Sequence, residues 1–273
     1  MHIGAAMIQR VSGNLQISFE QSGDTGAPVL VLLHAFPLSS AMWQKQLDFF
    51  GGRFRVLTPD ARGVGDTSPF AASPSIETMA RDLADLLDFL EIETAILGGC
   101  SMGGYTALEF VRQFPRRLRG FILCDTRADP DSDEARRARE EMIAFARQND
   151  GSAVAEKMLP KLLCGEACHH RPEIVERVRD LAKLLSGQSA AQLVQALRDR
   201  RDSTPVLPSI RVPTLVIGGR DDVPAPLAVM AEMAARIPDS KHVVIEDAGH
   251  LSSLEQSDVW NREVEAWLNE SGL

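Results

Sequence analysis

Leu97-Gly98-Gly99-Cys100-Ser101-Met102-Gly103-Gly104 is the stretch on which the reading of this chain turns: an apolar run from Thr94 to Leu97 meets a helical pattern beginning near Met102, and Ser101 sits at the junction. Read as G-x-S-x-G, the residues Gly99, Ser101 and Gly103 fit a sharp strand-to-helix turn. Small neighbours let a strained serine backbone pack without a Cβ clash and leave its hydroxyl at the edge of a sheet. The same letters also describe an ordinary tight turn in which Ser101 merely caps the following helix. Partners elsewhere in the chain must separate the two readings.

Working outward, the segments alternate between strand and helix. Upstream, Val29-Leu30-Val31-Leu32-Leu33 is a continuous apolar run, as expected of a strand buried on both faces, and it ends in His34-Ala35-Phe36-Pro37. Residues Ile8 to Val11 and Leu15 to Gln21 alternate around Ser12-Gly13-Asn14 and predict a β-hairpin. Trp43 to Phe50 reads as a helix, Arg55 to Thr58 as a short strand, and Asp60-Ala61-Arg62-Gly63-Val64-Gly65 as a loop. Met79, Leu83, Leu86, Leu87 and Leu90 then recur at helical spacing, with Arg81, Asp82, Asp85 and Asp88 as a solvated face. Downstream of the serine, a helix from Met102 to Phe114 and a strand from Leu118 to Cys124 complete successive βαβ units, which predict a mostly parallel, doubly wound α/β sheet.

The pattern changes after Asp125. Residues 127–205 show no convincing strand, only amphipathic helices broken at Asn149-Asp150-Gly151, Pro160, Pro172 and Ser186-Gly187, and predict a helical insertion. Strand character returns at Thr214 to Ile217, followed by a helix from Leu227 to Arg236, a strand from His242 to Ile245 and a last helix to Leu268. The expected organisation is a core built from 1–126 and 206–273, interrupted by a helical cap at 127–205.

Composition narrows the function. A chain of 273 residues, 44% hydrophobic, can bury one large core. A net charge of −9 opposes binding to nucleic acid or to an anionic membrane surface. No run of about eighteen apolar residues occurs, and Gly4, Gln9, Arg10 and Ser12 interrupt any leader-like segment, so a cytoplasmic protein is expected. Cys100, Cys124, Cys164 and Cys168 suggest no disulfide framework; Cys164, Cys168, His169 and His170 have metal-capable side chains but lack a second paired spacing, and ordinary packing is the simpler reading. The oligomeric state is not legible.

A serine hydroxyl is a weak nucleophile at neutral pH; it needs an imidazole as base and a carboxylate to fix the imidazole's tautomer. Asp222 lies just past the Thr214 strand, within Gly219-Arg220-Asp221-Asp222-Val223-Pro224-Ala225-Pro226, and His250 lies past the strand ending at Ile245. Taken singly, each could be a capping carboxylate or a surface histidine. Together they give Ser101, Asp222, His250, each immediately after a different core strand, which is the nucleophile, acid, base order of a recurrent hydrolase arrangement.

On these residues, and on His34-Ala35-Phe36-Pro37, Asp60 to Gly65 and Gly249-His250, the chain resembles the α/β-hydrolase family over nearly its whole length. The resemblance implies an α/β-hydrolase fold and an oxyanion hole made by the Phe36 and Met102 backbone N–H groups. It selects Asp222, four residues before Pro226, over the rival Asp221. It gives His34 a structural role and makes Asp60 and Arg62 loop braces. The family usually has glycine where this chain has Ala35; a positive φ there would strain an alanine.

The activity so implied is cleavage of small to medium carboxylic esters through an acyl-enzyme, without metal or organic cofactor. Gly249 to Gln256 is similar to the corresponding segment of bacterial carboxylesterases and 3-oxoadipate enol-lactonases, which keeps a lactone substrate open. Carbon–carbon bond hydrolysis, perhydrolysis and a ligand-sensing protein with negligible turnover use the same constellation. Met142, Phe145, Met158, Leu159, Leu162, Leu184, Leu193 and Leu197 are either a lid over the serine or the insertion's own core.

Overall fold

A computed structural model describes residues 7–71 and 73–273; the reading at Gly4 lies outside the described residues. Among the described residues eight strands form one sheet in the spatial order β1-β2-β4-β3-β5-β6-β7-β8. In chain order, β1 (Met7–Ser12) and β2 (Leu15–Ser22) form the expected hairpin; β3 (Val29–Leu33), a 3₁₀ turn at Ser40–Trp43, α1 (Gln44–Phe50) and β4 (Arg55–Pro59) follow. The helix expected from Trp43 therefore begins one residue later, behind that turn. Next come α2 (Ile76–Phe89), β5 (Ala95–Cys100), α3 (Met102–Gln113) and β6 (Leu118–Cys124). After an all-helical stretch the sheet resumes with β7 (Thr214–Gly219) and β8 (Ser240–Ile245), joined by α9 (Leu227–Ala235) and followed by α10 (Ser252–Glu255) and α11 (Ser257–Glu270).

β2 runs antiparallel to both β1 and β4, and every pairing from β4 through β3, β5, β6 and β7 to β8 is parallel. The continuous apolar runs are explained by two-sided burial, since successive residues of a strand face opposite layers. Leu30, Leu32, Ile96, Ile122 and Ile217 pack with α1 and α11 on one face. Val31, Leu33, Leu97, Leu123 and Val216 pack with α2, α3 and α9 on the other.

Between β6 and β7 lie α4 (Asp133–Ala146), α5 (Gly151–Leu162), α6 (Gly165–His170), α7 (Pro172–Ala182) and α8 (Gly187–Arg198). Ser132, Asp150 and Ser186 cap three of these by accepting from the backbone N–H of Ala135, Ala153 and Ser189. Pro172 occupies a first-turn position, where its missing N–H costs nothing. Pro160, expected to break a helix, lies inside α5. It stands two residues from that helix's end, so only one late hydrogen bond is forfeited.

These helices share their packing with the core. Ile143, Val154 and Leu193 join Phe36, Met102 and Tyr105 in one buried cluster, with Met142, Phe145 and Met158 packed against it. Leu159 and Leu162 pack with Ala248 and Leu251 instead. Leu184 belongs to neither arrangement: it is 54% exposed. Among the described residues no helix is long and apolar enough to cross a membrane.

Candidate active site

The turn between β5 and α3 has the geometry that its glycines allow. Ser101 has φ 51° and ψ −110°, in the left-handed half of conformational space that a non-glycine residue occupies only under constraint. A Cβ on Gly99 would lie 2.3 Å from the Gly103 carbonyl, and one on Gly103 would lie 2.2 Å from the Leu33 oxygen, so neither position accepts a side chain without a shift of the backbone. The backbone is pinned from both sides: Ser101 N–H donates to the Cys124 carbonyl at 3.0 Å, and the Ser101 carbonyl accepts from Tyr105 N–H and Thr126 Oγ1–H, each at 3.0 Å. The serine side chain does not cap α3. Its Oγ lies 2.7 Å from His250 Nε2.

His250 follows β8 and Asp222 follows β7, at the same carboxyl edge of the sheet. His250 Nδ1 lies 2.8 and 2.9 Å from the two Asp222 oxygens, and Asp222 Oδ1 also accepts the Ala225 N–H at 2.8 Å. A carboxylate only accepts, so Nδ1 carries the proton and Nε2 is left free to accept from the serine. Both residues are sealed from water, at 5% exposure for Asp222 and 2% for His250. Burial alone would lower the histidine pKa; the charge and hydrogen bond of Asp222, with Asp125 behind, outweigh it and raise the pKa overall. Asp221 is exposed, with its N–H bonded to the Ala248 carbonyl at 2.9 Å.

The loop bearing Phe36 leaves the sheet beside the serine turn, because β3 pairs with β5 through Leu33 and Gly99. Met102 is the first residue of α3, so its N–H has no carbonyl one turn back within the helix. Among the described residues neither the Phe36 nor the Met102 N–H has a backbone partner outside the regular elements. Ala35 is not among the residues with positive φ, so the strain expected there does not arise. Its backbone is instead tied down: Ala35 N–H faces Met42 Sδ at 3.3 Å and its carbonyl accepts the Leu38 N–H at 2.9 Å. His34 donates from Nδ1 to the Ala35 carbonyl and accepts the Ala61 N–H at Nε2, each at 3.0 Å. Its pKa is lowered by burial, against the pull of Asp60. Asp60 accepts the Ser40 N–H at 2.7 Å, and Arg62 forms a two-pronged pair with Asp82 at 2.6 and 2.8 Å.

Cys164, Cys168, His169 and His170 do not come together. Among the described residues the one group whose ligand atoms all lie within 4.8 Å is Cys100, Cys124 and Asp125. Burial pushes the Cys124 thiol well up. At Cys100 a hydrogen bond with Cys124 works downward, but burial and the nearby carboxylates raise the thiol overall. The raised thiols stay protonated, and Cys124 Sγ–H donates to Asp125 Oδ2 at 3.0 Å.

Several residues of the site were not singled out from sequence. Glu255 accepts the Gly249 N–H at 2.8 Å and the Cys164 N–H at 2.9 Å, linking the His250 loop to the start of α6. Arg139 and Arg200 share Asp131, at 3.1 and 2.5 Å, and the Arg200 guanidinium lies 4.3 Å over the Tyr105 ring, one turn past Ser101. Asp125, fully buried at the end of β6, could have been noticed as the one charge closing an apolar strand.

Comparison with known proteins gives consistent relatives. The chain is 30% identical over 254 residues, 93% of each sequence, to 3-oxoadipate enol-lactonase 2 of Acinetobacter baylyi. It is 28% identical to the carboxylesterase YbfK of Bacillus subtilis, over 90% of this chain and 82% of that one. Among solved structures, a thermophilic esterase from Thermogutta terrifontis superposes with a TM-score of 0.91 at 36% identity, covering 98% of this chain and 99% of that one. The enol-lactonase of Burkholderia xenovorans superposes at 0.88 with 28% identity, covering 96% and 100%. Residues 28–257 match the family profile described as the alpha/beta hydrolase fold, and the chain belongs to that family.

Proposed function

We propose that this protein is a serine hydrolase of small to medium carboxylic esters. Ser101 attacks the carbonyl carbon as His250 Nε2 takes its proton; the tetrahedral oxyanion is held by the Phe36 and Met102 N–H groups, each worth about 3 kcal/mol in the transition state. The proton then passes from His250 to the leaving alcohol, and the acyl-enzyme forms as the ester C–O bond breaks. Water, deprotonated by the same imidazole, repeats the attack and releases the acid. Asp222 keeps Nδ1 protonated and stabilises the imidazolium throughout. Segment 127–205 acts as a cap, with Met142, Phe145 and Met158 offering apolar surface toward the cluster that contains Phe36 and Met102.

The observation that carries this reading is the unbroken relay from Ser101 Oγ to His250 at 2.7 Å and on to Asp222 at 2.8 Å. A lactone is the second reading, favoured by the likeness to the enol-lactonases of Acinetobacter and Burkholderia. A panel of p-nitrophenyl esters and aliphatic lactones, with released acid titrated, tests both. Turnover that vanishes in Ser101→Ala supports the reading, and the ratio of rates assigns ester or lactone. Ligand-dependent stabilisation without any product contradicts it.

A further inference from the structure

Asp125 follows β6 with φ 45° and no exposed surface, and the reaction outlined above leaves it without a role. Its oxygens are divided between the two loops that bear Asp222 and His250. Oδ1 accepts the N–H of Gly219, the last residue of β7, at 2.9 Å. Oδ2 accepts from Ser252, two residues past His250, through Oγ–H at 2.7 Å and N–H at 3.2 Å. The Cys124 thiol stands 3.0 Å and the Cys100 thiol 3.9 Å from the same oxygen. One side chain thus holds three adjacent strand ends together, and all of its hydrogen-bond donors are uncharged.

We infer that Asp125 is a positioning residue: by accepting from Gly219 at the end of β7 and from Ser252 beyond β8, its buried carboxylate keeps the Asp222 and His250 loops in register and sets a negative charge beside them. The inference rests on the reading of His250 as the base. Its physical basis is that a buried negative charge favours the imidazolium over the neutral ring. Burial pushes Asp125's own ionisation up to about 7, with the charge of Asp222 adding to burial and His250, Cys124 and Ser252 opposing. The groups that face it are Cys100 from β5, Cys124 from β6, Asp222 beyond β7 and His250 and Ser252 beyond β8. Arg139 of α4 acts on His250 in the opposite sense. The carboxylate is therefore poised to change charge where the imidazole does, and the acid limb of activity reports both protons.

Asp125→Asn removes the charge while keeping volume and an acceptor for the Gly219 N–H. The pH profile of kcat/KM on a p-nitrophenyl ester is the readout, with thermal melting alongside. Because the ionised neighbour raises the imidazole pKa, its loss moves the acid limb to lower pH, by about one unit, while KM is unchanged. Ser252→Ala, which withdraws the shortest donor to the ionised form, moves the limb the same way by less, and serves if Asp125→Asn does not fold. A limb that stays in place in the folded variants, whatever happens to kcat or melting, overturns the inference. His250→Ala separates this from the parent reading: if it retains turnover, the base assignment fails; if it is inactive while the limb of Asp125→Asn stays put, only the role of Asp125 fails.

Discussion

Replacing Asp222 by asparagine tests the relay with little change of shape. In the parent, Nδ1 of His250 faces two acceptor oxygens at 2.8 and 2.9 Å. The Ala225 N–H holds Oδ1 at 2.8 Å, so the asparagine oxygen takes that place and its NH₂ takes the place of Oδ2, against Nδ1. Two N–H groups cannot face each other there. The ring proton moves to Nε2, and the atom that should accept from Ser101 becomes a donor. A wrong tautomer of this kind costs about 10⁴ in kcat. At about 1.36 kcal/mol per decade this is about 5 kcal/mol of transition-state stabilisation. Steady-state hydrolysis of a p-nitrophenyl ester gives kcat and KM separately; the loss falls on kcat, because Asp222 is buried and acts through His250 Nδ1. Asp221→Asn, an exposed neighbour, stays within about threefold of the parent. Asp222→Asn keeping more than about a tenth of parental kcat, or Asp221→Asn losing as much, would refute the reasoning.

Three further outcomes follow from the same geometry. Gly103→Ala drives a methyl into the Leu33 carbonyl, 2.2 Å from where its Cβ must sit, and is expected to lower unfolding free energy by about 3 kcal/mol, read from urea titration. Glu255→Ala leaves the buried Gly249 and Cys164 N–H groups without their acceptor, a loss of about 3 kcal/mol; a loss below about 1 kcal/mol would show that water replaces the carboxylate. The pH profile has a definite sign: the base must be unprotonated and the His250 pKa is raised, so kcat/KM falls as pH drops through a midpoint above 6.5. A midpoint below that value would mean that burial outweighs Asp222.

The central strands were legible because both faces of the sheet are covered there, which leaves uninterrupted apolar runs such as Val29–Leu33, and the hairpin β1–β2 because its residues alternate. The serine, aspartate and histidine were legible for a related reason: each follows a strand of the parallel part of the sheet, Ala95–Cys100, Thr214–Gly219 and Ser240–Ile245, so all three lie at one edge. Strand order was not, since periodicity marks a strand without naming its neighbour; β4 lies between β2 and β3. Asp125 illustrates the same limit at a single residue. Its partners Gly219 and Ser252 lie 94 and 127 positions away, and from sequence it marked only the point after which the helical insertion begins. Pro160 misled because the cost of a proline depends on its distance from the helix end, which in turn is set by where Leu163 leaves the helix.

The nucleophile itself is open to direct observation. Incubation with a fluorophosphonate, followed by peptide mass spectrometry, reports which side chain attacks an electrophilic phosphorus and displaces fluoride. The account predicts a single adduct on Ser101, its rate collapsing in His250→Ala. An adduct on another residue, or unaltered ester turnover in Ser101→Ala, would contradict it.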